Sequence, residues 1–295
     1  MSDSAANLRR KIASADDLRS VVRTMKALAA SNIGQYEKSV HALGDYYRSV
    51  ELGLSIYFRK NARTAPMQEG KGRTDAQPVG VVVFGSDQGL VGRFNDVVAD
   101  FALHALAALP GKPQIWAVGE RVHARLADAR LPLAGPFSVA NSVNAITPLV
   151  GQILVESETS YSQGAITDLY LFYNRHSPRA IYEPVQQRLL PLDEAWQREL
   201  GAYPWPTKNL PEVVGDDTTA LRALIREYLF VSLFRACAES LASENASRLA
   251  AMQRADKNIN ELLETLHGTF QRLRQSGIDE ELFDVVSGFE ALNGP

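Results

Sequence analysis

The segment Gly85-Ser86-Asp87-Gln88-Gly89-Leu90-Val91-Gly92 is the part of this sequence best suited to chemistry. It follows the β-branched run Val79 to Phe84 and precedes a helical pattern, the setting in which backbone amides cradle phosphates. It lacks the Gly-Lys-Ser/Thr ending of a P-loop, and its glycines are not spaced as in a dinucleotide fingerprint. The plainer reading is a tight turn whose glycines permit positive φ and close strand–helix packing. Ser86 and Ser287 are hydroxyls with no readable base nearby in sequence. The five histidines, His41, His104, His123, His176 and His267, are scattered without metal-ligand spacing. Cys237, the single cysteine, excludes an intramolecular disulfide and reads as a small packed side chain. No catalytic residue, cofactor or metal is expected from these residues.

Two segments are unusual for their smallness. In Met25-Lys26-Ala27-Leu28-Ala29-Ala30-Ser31, Lys26 projects from a helix kept slender by alanine and serine. In Ser243-Glu244-Asn245-Ala246-Ser247-Arg248-Leu249-Ala250-Ala251-Met252, Arg248 does the same. A slender helix fits a narrow channel, and it also permits tight packing against one neighbouring helix. The spacing alone does not choose between the two.

Long helices must position these segments. From Leu8 the apolar residues run Ile12, Ala15, Val22, Met25, Ala29, Ile33, Tyr36, Val40, Leu43, Tyr47, Val50, Leu54 and Tyr57, in steps of three or four. One beat is missed at Arg19, where Leu18 stands beside the expected position. The rhythm returns at Leu221, Leu224, Tyr228 and Val231, and again from Leu249 through Met252, Ala255, Ile259, Leu262, Leu266 and Phe270 to Leu273. This is the seam of a coiled coil, and the two ends of the chain can pair antiparallel. Asp216 to Thr219 offer an N-cap for the last helix, and Asn141 or Ser142 for a helix over 144–159. Between the ends, strands at 79–84, 114–118, 166–173 and 182–190 alternate with helices near 95–109, 121–127 and 144–159. The pattern implies a small, mostly parallel sheet with helices on both faces and an edge or antiparallel strand at 182–190. The expected division is a coiled-coil shaft over 1–60 and 212–295, an α/β domain over 79–200, and linkers over 61–78 and 201–211.

Composition excludes several classes. A net charge of −3 over 295 residues argues against a general nucleic-acid binder. Residues 1–60 carry ten Lys/Arg against six Asp/Glu, a local excess suited to an acidic partner. No run of eighteen apolar residues occurs, so membrane contact is expected only through partner proteins.

Several of these motifs resemble one family. Arg10 to Ser14 and Met25 to Ser31 are similar to the N-terminal helix of the gamma subunit of F-type ATP synthases. Gly85 to Gly92 with Phe94-Asn95 resembles that family's first strand-turn-helix. Leu241 to Met252, then Ala255, Asp256 and Asn258, resembles its C-terminal helix, which Arg274 to Ile278, Glu281-Leu282 and Val286 to Gly288 complete. The motifs occur in one order over nearly the whole length. The resemblance implies a long antiparallel coiled coil of N- and C-terminal helices plus a small Rossmann-like α/β domain. It also implies a non-catalytic central-stalk rotor turning inside a ring of three alpha and three beta subunits. Epsilon and the membrane rotor c-ring are the further partners, at the cytoplasmic face of a bacterial inner membrane. Carried over by motif, Met25, Lys26, Arg248, Gln275 and Glu281 contact the ring.

Two departures mark a divergent bacterial member. Asn32 to Glu37 stand where the family often has a basic stretch, which places Gly34 inside a helix, and Asp279 replaces a common threonine. The alternative reading is a stand-alone nucleotide-binding α/β enzyme with coiled-coil oligomerisation arms. A coiled-coil scaffold with a receiver-like domain ranks last, because the acidic cluster and strand-end lysine of such a domain are missing.

Overall fold

The computed structural model describes residues 4–61, 78–109, 111, 113–177, 179–192, 194–209, 212 and 216–292. In chain order these form α1 (Ala5–Asn61), β1 (Val79–Phe84), α2 (Phe94–Ala107), β2 (Pro113–Val118), α3 (Glu120–Asp128), β3 (Leu133–Phe137) and α4 (Val143–Ser162). They continue with β4 (Asp168–Ser177), β5 (Ala180–Leu190), α5 (Glu194–Gly201) and α6 (Asp217–Leu292). The expected linker at 61–78 lies outside the described residues except for Asn61 and Pro78. Within 201–211, residues 202–209 form neither helix nor strand, and Trp205 Nε1 donates to Thr207 Oγ1 at 2.9 Å.

Two compact units emerge, one from residues up to Ala29 and from Leu249 onward, the other from Ala30 to Arg248. In the larger unit the sheet order is β3-β2-β1-β4-β5. β1 pairs parallel with β2 and β4, β2 parallel with β3, and β5 antiparallel to β4. The period of two along each strand sorts side chains to two cores. Val81, Val83, Ile115, Ala117, Tyr170 and Phe172 meet α2 and α3 on one face. Val82, Phe84, Trp116, Val118, Leu171 and Tyr173 meet α4, the second half of α1 and the first half of α6 on the other. β1 is buried at all six positions, as its unbroken apolar run predicts for a strand covered on both faces.

The terminal helices pair antiparallel in each unit. In the larger one, Asn32 Nδ2 donates to Asn245 Oδ1 at 3.3 Å, Tyr47 rests on Tyr228, and Gly53 faces Leu224. An added Cβ at Gly53 would stand 3.0 Å from Leu224 Cδ2, so a small residue lets the helices approach here. In the smaller unit Ala15, Val22, Met252, Ile259 and Leu263 form the seam. On α1 the residues Leu8, Ala15, Val22, Ala29 and Tyr36, spaced by seven, are all buried. Leu18 is exposed, so Arg19 keeps the register of the seam and Leu18 lies off it. On α6 the beat drifts, because 3.6 residues per turn do not match a strict heptad. Leu263 is buried and Leu262 is half exposed, the reverse of the expectation.

Asp216 caps α6 as predicted: its Oδ2 accepts from the Thr219 amide at 2.9 Å and from the Thr218 and Thr219 hydroxyls. Those bonds hold its carboxyl at about 2, below the usual carboxylate range. Ser142 stands at the cap position of α4 in extended backbone, but its hydroxyl makes no capping bond. Two elements were not anticipated. β3 reads Leu-Ala-Gly-Pro-Phe, with too few β-formers to announce a strand. α5 is short, and Trp196 anchors it by packing on Phe58 and Tyr228.

Candidate functional site

The glycine-rich turn is a structural joint. The Ser86 amide donates to Asn95 Oδ1 at 2.9 Å, and Asn95 Nδ2 donates back to Ser86 Oγ at 2.8 Å. Ser86 Oγ in turn donates to the Gln88 carbonyl, so this buried hydroxyl is committed and no base stands by it. Asp87 reaches across the carboxyl ends of the strands. Its Oδ1 accepts from the Glu120 amide at the start of α3 (3.0 Å), and its Oδ2 from the Val139 amide beyond β3 (2.9 Å). A phosphate would need such amides, and a protein carboxylate already holds them at the positive end of α3. The turn therefore repels the ligand that its sequence suggested. Gly85 is required by packing: a Cβ there would lie 2.4 Å from Val122 Cβ. Gly92 supplies a positive φ of 57°.

The strand order reverses between β1 and β4, the place where open α/β sheets bind ligands. Protein atoms fill that crevice here. Asn174 Nδ2 donates to the Phe94 carbonyl at 2.9 Å, the Phe94 ring meets Tyr182 at 5.4 Å, and Ser247 Oγ on α6 donates to the Val91 carbonyl at 2.6 Å. Asp87→Asn keeps one accepting oxygen and turns the other position into a donor facing a backbone amide. It is expected to cost about 1–3 kcal/mol, read as a lowered urea midpoint; an unchanged midpoint would show that the two bonds are not structural.

Cys237 is closed to solution chemistry. Burial pushes the Cys237 thiol up to about 12, with the Glu244 charge adding to the shift, so no thiolate forms at neutral pH. Among the described residues, no group of three or more His, Cys, Asp or Glu stands together as a metal site.

The five predicted contact residues separate into three settings. In the smaller unit Met25 packs partly against the seam, and Lys26 Nζ lies 2.9 Å from Asp256 Oδ2, with Arg23 at 3.6 Å from the other oxygen. The Lys26 bond holds the Asp256 carboxyl below its usual range. Gln275 and Glu281 are exposed on α6. Arg248 belongs to the larger unit, where it is nearly enclosed and bonded to Glu244 at 2.6 Å. The structure joins Lys26 to neither Gln275 nor Glu281.

One surface was missed in the sequence. Arg9 of α1 lies over the Phe270 ring at 5.3 Å, so α6 continues well past the described start of its partner helix. On that continuation Ile278, Leu282, Phe283, Val285, Val286 and Phe289 are 47–74% exposed. Their spacing of three and four was the available signal, had the length of α1 been set against that of α6. A second exposed apolar row, Leu18, Val21 and Leu28, lies on α1.

Residues 4–292 match the sequence pattern of the family described as ATP synthase. This chain belongs to that family. Relatives named ATP synthase gamma chain align with it end to end. The one from Stenotrophomonas maltophilia is 25% identical over 294 residues, 98% of this chain and 99% of the relative. That from Arthrobacter is 28% identical over 294 residues, 97% of each. The rotor of the Euglena gracilis mitochondrial ATP synthase shares the fold, with a TM-score of 0.61 at 15% identity over 93% of this chain and 98% of that one. The central stalk and c-ring structure of the Tetrahymena thermophila enzyme includes a chain with a TM-score of 0.55 at 23% identity, covering 80% of this chain and 99% of that chain.

Proposed function

We propose that this chain is the central-stalk rotor subunit of an F-type ATP synthase, coupling transmembrane ion flow to ATP synthesis or hydrolysis by rotating inside the alpha/beta catalytic ring. The observation that carries this reading is the exposed apolar end of α6. Six large apolar side chains clustered within twelve residues are costly to leave in water, which marks a surface that a partner covers. The paired helices supply stiffness, and residues 1–60 and 212–295 form the shaft, with 79–200 as the α/β domain that meets epsilon and the c-ring.

A turning contact must bind each of three neighbours in succession without becoming trapped on one. Slender surfaces with few charges suit that task. Ion pairs made by an exposed side chain such as Glu281 contribute only about 0.2–1 kcal/mol each, so they form and break easily. Met25, Lys26, Arg248, Gln275 and Glu281 are the contacts assigned to the ring, and catalysis belongs to the partner subunits. No helix among the described residues is long and apolar enough to cross a membrane. The rotor reading itself carries a peripheral place at the cytoplasmic face of the bacterial inner membrane, reached through partners.

The test is reconstitution of the purified chain with alpha and beta subunits, followed by native mass spectrometry and an ATPase assay. The expected result is one copy of this chain in a complex that hydrolyses ATP, while the chain alone does not. Failure to co-assemble would remove the rotor assignment, and tight nucleotide binding by the isolated chain would favour the enzyme reading.

A further inference from the structure

Among the charged residues assigned to the ring contact, Arg248 is the one withdrawn from solvent. Its side chain is 13% exposed, against 37% for Lys26. Glu244, one helical turn earlier on α6, receives its guanidinium at 2.6 Å through Oε1. The Glu244 side chain is 8% exposed, and its second oxygen is buried without a hydrogen-bond partner. Both residues line a cavity of about 250 Å³ together with Asn32, Gln88, Asn141 and Asn245.

We infer that Glu244 is the positioning residue for Arg248: its carboxylate holds the guanidinium retracted, and proton uptake from solvent by Glu244 releases Arg248 to extend toward an acidic partner. The release half of this inference rests on the rotor reading above, and the retraction half does not. An arginine stays charged at any accessible pH, so the carboxylate is the end of the pair that can titrate. Withdrawing Arg248 from an ionised Glu244 would strand a buried charge, which is far more costly than breaking a surface pair. Protonation removes that charge, and the cavity gives the guanidinium room and amide groups to face as it moves.

The surroundings favour such a titration. Burial pushes the Glu244 carboxyl above its usual range, Arg248 pulls part of that shift back, and the charge of Asp87 on the β1–α2 turn adds to it. Burial first, and then the Glu244 charge, hold Tyr36 from α1 and Cys237 from α6 toward their neutral forms. The segment beyond β3 contributes uncharged Val139, Ala140 and Asn141. Asp87 lines the same cavity, and a backbone amide bonded to each of its oxygens fixes its carboxylate on the turn. With the carboxyl raised in the folded chain, its contribution to stability is full below the unfolded value and is lost as pH rises through the folded value.

Phenylglyoxal labelling of the isolated chain, read by peptide mass spectrometry, tests this, with exposed Arg254 as the internal reference. At pH 8.5 Arg248 is expected to label about tenfold more slowly than Arg254, and the gap should close as pH falls toward 5, as a single protonation requires. Glu244→Gln should label fast at both values. Glu244→Asp, one methylene shorter, should label faster than the native chain at pH 8.5. A gap that does not change with pH in the native chain overturns the inference even if the variants fail to fold, and so does an undiminished pH dependence in Glu244→Gln. In the complex with alpha and beta subunits, the loss of hydrolysis caused by Arg248→Ala should be about threefold larger at pH 6 than at pH 8.5. Equal losses, alongside the expected labelling, would overturn the partner-directed half alone. Absence of any complex would instead count against the rotor reading.

Discussion

Phe172→Ala is expected to destabilise the Ala30–Arg248 unit by about 3–5 kcal/mol, the range for deleting a fully buried aromatic ring. Phe172 sits in β4 beside the central strand, has no solvent exposure, and meets the edge of Phe101 from α2 with centroids 6.0 Å apart. Val83 stands opposite it on β1, with Val81 two residues along the same strand, so the sheet fixes one side of the space and α2 the other. Neither can collapse into the void without breaking ladder hydrogen bonds or sliding a helix, which places the cost toward the top of the range. The measurement is a urea titration followed by tryptophan fluorescence, because Trp116 is buried in the same sheet. Phe283→Ala is the control: the same chemical change at a position 74% exposed should move the midpoint by less than about 0.5 kcal/mol in equivalent stability. A loss below about 1 kcal/mol for Phe172→Ala would mean that this face of the sheet is not packed as described.

What could be read in advance follows from how many constraints act on a residue at once. The run Val79 to Phe84 announced a buried central strand, because neighbours on both faces demand apolar groups at every position. The heptad Leu8, Ala15, Val22, Ala29, Tyr36 was equally legible, since one helix facing another leaves a fixed period. β3 was not legible: at the sheet edge a strand has one pairing partner, which tolerates Gly135 and Pro136. The exchange of Leu262 for Leu263 was hidden because drift of an apolar stripe along α6 is set by the partner helix, and adjacent leucines give the sequence no preference.

The chemistry was less legible than the fold. Gly85 to Gly92 has the composition of a ligand loop, and only the positions of the Glu120 and Val139 amides, 33 and 52 residues away, show that Asp87 holds the donors. Arg248 reads as a projecting charge in a small-residue stretch. That Glu244 would retract it depends on the turn, α1 and the segment beyond β3 closing over the pair, which spacing within one helix does not encode. Arg248→Ala therefore removes two things together, a contact and the counter-charge of a buried carboxylate, and pH separates them: the stranded charge weighs most at pH 8.5, where Glu244 is ionised, and the lost contact at pH 6.

Leu282→Glu combined with Val286→Glu and Phe289→Glu is expected to reduce ATP hydrolysis by the reconstituted complex at least tenfold while leaving the isolated chain as stable as before. All three side chains lie on the solvent-exposed end of α6, and glutamate is a good helix former, so the free chain loses no buried contact and little helix propensity. Its melting temperature should move by no more than about 2 °C, as for other surface changes. Inside a partner ring the balance reverses. Each apolar side chain covered by a neighbour contributes about 1.5–3 kcal/mol, and three carboxylates in the same place would have to be desolvated without counter-charges. A tenfold loss corresponds to about 1.4 kcal/mol, so even partial cover of these positions suffices to produce it. Native mass spectrometry alongside the assay separates the two ways the activity can fall, through lost assembly or through an assembled but uncoupled complex. A drop of ten degrees in the isolated chain would show that this end of α6 is already packed without partners, and undiminished hydrolysis would show that nothing covers it in the complex.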